Sequence, residues 1–279
     1  MFVLRLERPH RPKLFQSTFA ASLLFMAGLT ASAQEPVSKE QVDDKLAEVV
    51  KLGESIVENT MTHPMSKGYV GNALNCTSCH LDNGRHEKAG TFLGTATAYP
   101  AWSPRENRVI TLEDRVLNCF MRSCNGTRPP LGSEVSVAVT AYITSLSQGQ
   151  TLRMNSKRPI GPGAIKLLAV KPDQADIQRG AALYTSRCTE CHLKDGQGDK
   201  DNPPVWGERS YNDGAGLSSM ENLAAWLKVA MPLDDTDLTD QQALDIAAYV
   251  NSHKRSHFEI SKHLPAKERL GEYNASNEK

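Results

Sequence analysis

The chain has 279 residues, with 32 lysines and arginines against 32 acidic residues, so its formal net charge is zero. With 39% apolar and 23% charged residues, neither a nucleic-acid binder working through a broad basic field nor an acidic disordered chain fits. Six cysteines are too few for a disulfide scaffold of this length, so their spacing has to say what they do.

The first segment, 1–33, reads as a signal peptide. Arg5, Arg8, Arg11 and Lys13 precede an apolar run from Phe19 to Leu29, and Ala31-Ser32-Ala33 offers small residues for cleavage. The run falls short of the about 20 residues needed to span a bilayer, and no later stretch is long and apolar enough. The expectation is an exported, periplasmic protein with no membrane span after cleavage; an uncleaved N-terminal anchor is the alternative. The n-region lacks an adjacent arginine pair, which favours export of the unfolded chain. Cleavage removes four basic residues and only Glu7 on the acidic side, so the mature chain is mildly acidic. It also removes Phe2, Phe15, Phe19 and Phe25, leaving few aromatic side chains for a core.

Two stretches then carry the same pattern. Cys76-Thr77-Ser78-Cys79-His80 and Cys188-Thr189-Glu190-Cys191-His192 are both C-x-x-C-H, the attachment signature of haem c. Each cysteine pair forms thioethers to a porphyrin and the histidine becomes the proximal iron ligand. Zinc would need a second Cys/His pair close to each motif, and a redox dithiol would want a βαβ context; neither is present. Two haem c groups are therefore expected, held by Cys76, Cys79, Cys188 and Cys191.

The surroundings of the motifs repeat. Apolar residues three and four apart from Val50 to Val57, and again from Ile177 to Tyr184, predict a helix before each motif. Helices over 135–146 and 241–253 close the two halves, with Ala141-Tyr142 matched by Ala248-Tyr249. This arrangement predicts an all-α fold of two tandem class I-like cytochrome c domains, at 34–146 and 173–279. The Gly/Pro-rich residues 147–172 read as the linker. No convincing β-strand appears.

Each iron has a second axial position. In the C-terminal half Met231 is the candidate, placed beyond a helix opened by the capping pair Ser218 and Glu221; Met220 is a rival nearer the helix start. In the N-terminal half Cys119 stands at the same distance from His80 as Met231 does from His192. Thr111 and Asp114 form a further capping pair, which puts Cys119 inside a helix. Arg115 and Ser123 share its helix face, Arg122 lies beside them, and Arg105 sits in a loop upstream. Cationic neighbours favour a thiolate and attract anions. A structural thiol, a Cys119–Cys124 disulfide, or ligation by Met121 or Met65 remain open, and the arginines suit haem propionates as well.

The run Asn118-Cys119-Phe120-Met121-Arg122-Ser123-Cys124-Asn125-Gly126, following a C-x-x-C-H, resembles the thiosulfate dehydrogenase family of di-haem cytochromes c. Gly90 to Gly94, Tyr99-Pro100 and Glu113-Asp114-Arg115 are also similar, and the likeness covers essentially the whole mature chain. The resemblance implies His80/Cys119 ligation at an active-site haem and His192/Met231 ligation at an electron-transfer haem. It further implies that Cys119 is catalytic, that Arg105, Arg115 and Ser123 bind substrate, and that two thiosulfates are coupled to tetrathionate or the reverse. A soluble cytochrome c or similar acceptor would take the electrons. Cys124 replaces an expected methionine, and Ala230 stands where some members carry a lysine. Other readings are a substrate-free electron carrier, a di-haem peroxidase using His63 or His86, and a sulfur-carrying subunit of a sulfur-oxidation complex. His253, His257 and His263 carry no metal spacing.

Overall fold

The computed structural model describes residues 39–264; the expected signal segment lies outside them. The first half is built on α1 (Lys39–Glu58), α2 (Leu112–Arg122) and α3 (Glu134–Ser145). The second is built on α4 (Ile177–Arg187), the short α5 (Thr189–His192), α6 (Met220–Ala230) and α7 (Asp240–Ser252). In the first half α1 crosses α3, and in the second α4 and α6 both pack on α7.

The two principal crossings are made by the same device. A Cβ on Gly53 would lie 2.0 Å from the Ala138 carbonyl oxygen and 2.8 Å from Tyr142 Cβ. A Cβ on Gly180 would lie 2.0 Å from the Asp245 carbonyl oxygen and 2.9 Å from Tyr249 Cβ. Only glycine lets the backbones meet this closely. The matched helices and the Tyr142/Tyr249 pair read from the sequence thus belong to a repeated helix crossing.

Two apolar cores follow. Ile56, Val57, Phe92, Val116, Phe120, Val139 and Tyr142 fill the first. Tyr184, Trp206, Leu223, Trp226, Leu244 and Ile246 fill the second, but Ala89 and Leu81 of the first half also pack there. The halves share a boundary rather than merely touching.

Two expectations are adjusted. A two-stranded antiparallel hairpin is present, with β1 (Ala101–Ser103) paired to β2 (Arg108–Ile110); strands of three residues are too short to show an alternating pattern. The first cap of α6 is Ser219, whose hydroxyl accepts from the Asn222 N–H. Ser218 instead donates to the carbonyls of Asp213 and Ala215, closing the preceding turn. The segment 147–172 makes contacts with both halves. The Asn155 N–H donates to the Ala98 carbonyl at 2.8 Å, the Tyr99 hydroxyl donates to the Pro159 carbonyl at 3.0 Å, and Ile165, Leu168 and Val170 rest on the second core.

Candidate active site

Each C-x-x-C-H motif is formed by a tight helical turn that follows a longer helix. In the first, Cys76–Ser78 are a 3-10 turn capped by Asn75. Thr60 fixes its start by accepting from the Cys76 N–H at 3.0 Å and donating to Cys76 Sγ at 3.2 Å. In the second, Cys188 ends α4 and α5 carries the remaining motif residues.

The histidines are locked alike. His80 Nδ1 lies 2.5 Å from the Gly90 carbonyl oxygen, and its ring lies 4.3 Å from that of Phe92. His192 Nδ1 lies 2.9 Å from the Pro203 carbonyl oxygen. A carbonyl can only accept, so Nδ1 carries the proton and Nε2 keeps its lone pair for a metal. Burial pushes the His80 pKa down to about 4 and lowers that of His192 as well. Both rings are therefore neutral near pH 7, as ligation requires.

A cavity of about 630 Å³ is lined by Cys188, Cys191, His192 and Met231. Attachment thiols, imidazole and thioether thus face one space of the size a macrocycle needs. Met231 stands at the extended C-cap of α6, which releases its side chain from the helix. The same cavity is lined by Thr77, Ser78 and Cys79 of the first motif, and the Trp226 indole N–H donates to the Cys79 carbonyl at 3.0 Å. The residues fit a haem c here, and those of the first half fit another: Cys76, Cys79 and His80, with Cys119 in reach.

Cys119 lies inside α2, which opens with the expected capping box: Thr111 accepts from the Asp114 N–H, and Asp114 accepts from the Thr111 N–H. Asp114 also binds buried Arg128 at 2.9 Å and Arg108 at 3.2 Å, and Arg128 reaches Asn118 at 2.7 Å. This buried network fixes the helix that carries the thiol. Arg115 Nη1 is 2.8 Å from Cys119 Sγ, as the shared helix face predicts. The Cys119 charge holds the Arg115 guanidinium above its ordinary pKa. Burial raises the Cys76 thiol to about 11 and the Cys79 thiol to about 12, and the Cys119 charge adds to both. Once attached to haem those sulfurs are thioethers and do not titrate.

Arg105 comes from the turn of the hairpin. Burial lowers its pKa, and so does the positive charge of Arg115. Arg105 Nη1 donates to the Gly214 carbonyl at 3.3 Å, and Arg122 Nη1 donates to the same oxygen at 3.4 Å. Ser123 is the C-cap of α2, with its N–H on the Cys119 carbonyl at 2.8 Å. Cys119, Arg115 and Arg105 are thereby gathered, and Ser123 follows one turn later.

The remaining candidates have other occupations. No disulfide joins Cys119 to Cys124, and burial raises the Cys124 pKa well above the usual thiol range. Met121 is in the core, while Met65 and Met220 pack against the two apolar clusters. His63 accepts from the Met65 N–H and His86 from the Ala89 N–H, closing loops. His253 stacks on Trp206 at 3.8 Å, His257 pairs with Asp213, and His263 meets the Gly126 carbonyl. Sequence reading did not find Gly214 and Phe258 beside Arg122, nor Trp226 against Cys79. These contacts join residues far apart in the chain and leave no local pattern.

Two matched helix crossings, two C-x-x-C-H turns and two locked imidazoles define a c-type cytochrome with two haems. Residues 69–152 match a family model described as SoxA/TsdA, cytochrome c domain, and 175–250 match one described as cytochrome C oxidase, cbb3-type, subunit III. A thiosulfate dehydrogenase of Stutzerimonas stutzeri is 37% identical over 80% of this chain and 72% of its own length. That of Allochromatium vinosum is 36% identical over 87% of this chain and 94% of its own. A solved structure titled thiosulfate dehydrogenase (TsdBA) from Marichromatium purpuratum superposes with a TM-score of 0.69 at 36% identity, over 79% of this chain and 47% of that one. The chain belongs to the thiosulfate dehydrogenase family and carries two haem c groups.

Proposed function

We propose that this chain is an oxidoreductase that couples two thiosulfates to tetrathionate, with Cys119 as the residue that carries the sulfur. The observation that supports this best is the 2.8 Å contact between Arg115 Nη1 and Cys119 Sγ. A guanidinium against a thiol is the setting that a sulfur nucleophile needs.

When bound, the two haems supply one-electron redox chemistry. His80 and Cys119 would hold the first iron, and His192 and Met231 the second. The protein's part is to hold anions and a nucleophile. Two dianions repel, so the reaction needs cations gathered in one place, which Arg105 and Arg115 provide, with the Ser123 hydroxyl at the end of α2 as a neutral hydrogen-bond donor. Once released from iron, the Cys119 thiolate forms a bond to the outer sulfur of one thiosulfate, giving an S-thiosulfonate and two electrons that pass to the c-type acceptor. The outer sulfur of the second thiosulfate then attacks that sulfur, breaks its bond to Cys119, and releases tetrathionate and the thiolate. The same steps run in reverse as tetrathionate reduction.

The segment 1–33 supports export to the periplasm, and among the described residues no helix is long and apolar enough to cross a membrane. A soluble c-type cytochrome is the acceptor that fits such a compartment. The partition into domains at 34–146 and 173–279, with 147–172 between them, belongs to the same reading. Assaying Cys119→Ala for thiosulfate-dependent reduction of an acceptor tests it: turnover should be lost with both haems retained. Wild-type turnover at full haem content would overturn the role of Cys119.

A further inference from the structure

We propose that Arg187 is a positioning residue for the second iron: its guanidinium clips the loop that follows Met231 to the helix end beside Cys188, and so keeps the thioether seated on the metal. This rests on the reading of His192 and Met231 as that iron's ligands. A thioether is a neutral and weak donor. Its hold on iron therefore depends on how firmly its own stretch of chain is kept in place, because a loop free to move gains entropy by leaving.

Arg187 is the last residue of α4, directly before the first attachment cysteine of the second motif. Its Nη2 lies 2.5 Å from Asp237 Oδ1 and 3.2 Å from Asp235 Oδ2. Both carboxylates belong to the connection between α6 and α7, four and six residues after Met231. Arg187 also lines the cavity, together with Cys188, His192, Met231 and Pro232. One side chain thus borders the space that receives the porphyrin and ties the chain that anchors it to the chain that supplies the axial sulfur. A charge-assisted bond as short as that to Asp237 is among the stronger kind.

The loop is fixed at both ends and clipped between them. At the near end the Met231 N–H donates to the Leu227 carbonyl at 3.0 Å. At the far end Leu238 is buried, and its carbonyl accepts from Lys228 Nζ. In between, the Asp235 N–H donates to the Pro232 carbonyl at 3.2 Å and the Asp237 N–H to the Asp235 carbonyl at 2.9 Å, turns that bring two carboxylates to one guanidinium nitrogen. The side chains of Asp235 and Asp237 are 70% and 57% exposed, and ion pairs so exposed add little to global stability. What they bias is the local balance between a seated loop and a lifted one. Partners that orient a metal ligand change its hold by about 10–100-fold.

The test titrates imidazole into the oxidised, haem-loaded protein and follows loss of the methionine-to-iron absorption band, which a His/Cys iron lacks. Imidazole enters when the loop has lifted, so its apparent affinity scales with the lifted fraction. Arg187→Gln should raise that affinity roughly tenfold, and Asp237→Asn should raise it several-fold. The two variants change the charge beside the iron in opposite senses, so a purely electrostatic influence would move the affinity in opposite directions. A loosened clip moves both the same way. Wild-type affinity in both variants, or shifts of opposite sign, overturns the proposal. Should Arg187→Gln lose haem, Asp234→Asn replaces it as the charge control, since it removes a carboxylate of the same loop other than the two on Arg187. A rise in Asp237→Asn with Asp234→Asn as wild type then supports the clip, and equal behaviour of the two overturns it. If the oxidised wild type shows no methionine band, the reading of Met231 as ligand fails; if the band is present and the variants match wild type, the clip alone fails.

Discussion

The two halves repeat one frame and differ at one ligand position. Gly53 against Ala138 and Gly180 against Asp245 make the same crossing, and His80 and His192 are turned by the same bond to a backbone carbonyl. Met231, however, sits at an extended helix cap and lines the cavity with Cys188, Cys191 and His192, whereas Cys119 sits within a helix, bonded to Arg115 and backed by the buried Asp114–Arg128 pair. A thioether suits an iron that only exchanges electrons. A thiol among guanidiniums suits one beside which sulfur chemistry occurs. On the proposed reading the frame sets where a ligand can stand, and the charges around it separate carrier from catalyst.

That contrast can be broken most severely at Cys119. Cys119→Met makes the first half imitate the second, and thiosulfate oxidation should fall by about three orders of magnitude or more, while the near-infrared spectrum of the oxidised protein shifts toward that of a His/Met haem. Next comes the support of α2. Asp114→Ala leaves Arg128 charged and buried and should cost about 3–5 kcal/mol in denaturant unfolding, with no counterpart in the second half. Gly53→Ala and Gly180→Ala probe the shared frame, and each should lose about 1–3 kcal/mol by overpacking; a tolerated alanine at either site would show that the crossings are not equivalent.

A milder test addresses the boundary between the halves. Trp226→Phe removes the donor to the Cys79 carbonyl and should cost about 1 kcal/mol in thermal unfolding, with both haems retained. The smallest effect concerns acid stability. Burial alone would raise the Asp245 carboxyl, but Arg179, the Asp176 N–H and Gln241 hold it below the ordinary value of 3.8. A carboxyl depressed in the folded state contributes stability that is present above that value and lost as pH falls through the lower folded one. Asp245→Asn should therefore flatten the acid limb of the unfolding curve.

Much of the frame was legible because it is written locally. The C-x-x-C-H turns and the Thr111 capping box each lie within a turn or two of chain. The strands at 101–103 and 108–110 were not, since three residues leave no period to detect. The α6 cap was read one residue early because Ser218 and Ser219 both offer a hydroxyl, and only the preceding turn decides which one it consumes. Nor could Arg122, Phe258 and Gly214 be associated in advance: the arginine read as a neighbour of Cys119, but its ring and carbonyl partners come from the far end of the chain.

The backbone of Thr77 to Cys79 forms part of the wall of the second cavity, with Trp226 bonded to it. One wall thus serves two neighbours: the turn that presents the first pair of attachment thiols also borders the space beside the second, so a change of shape at Cys79 is passed directly to the other half.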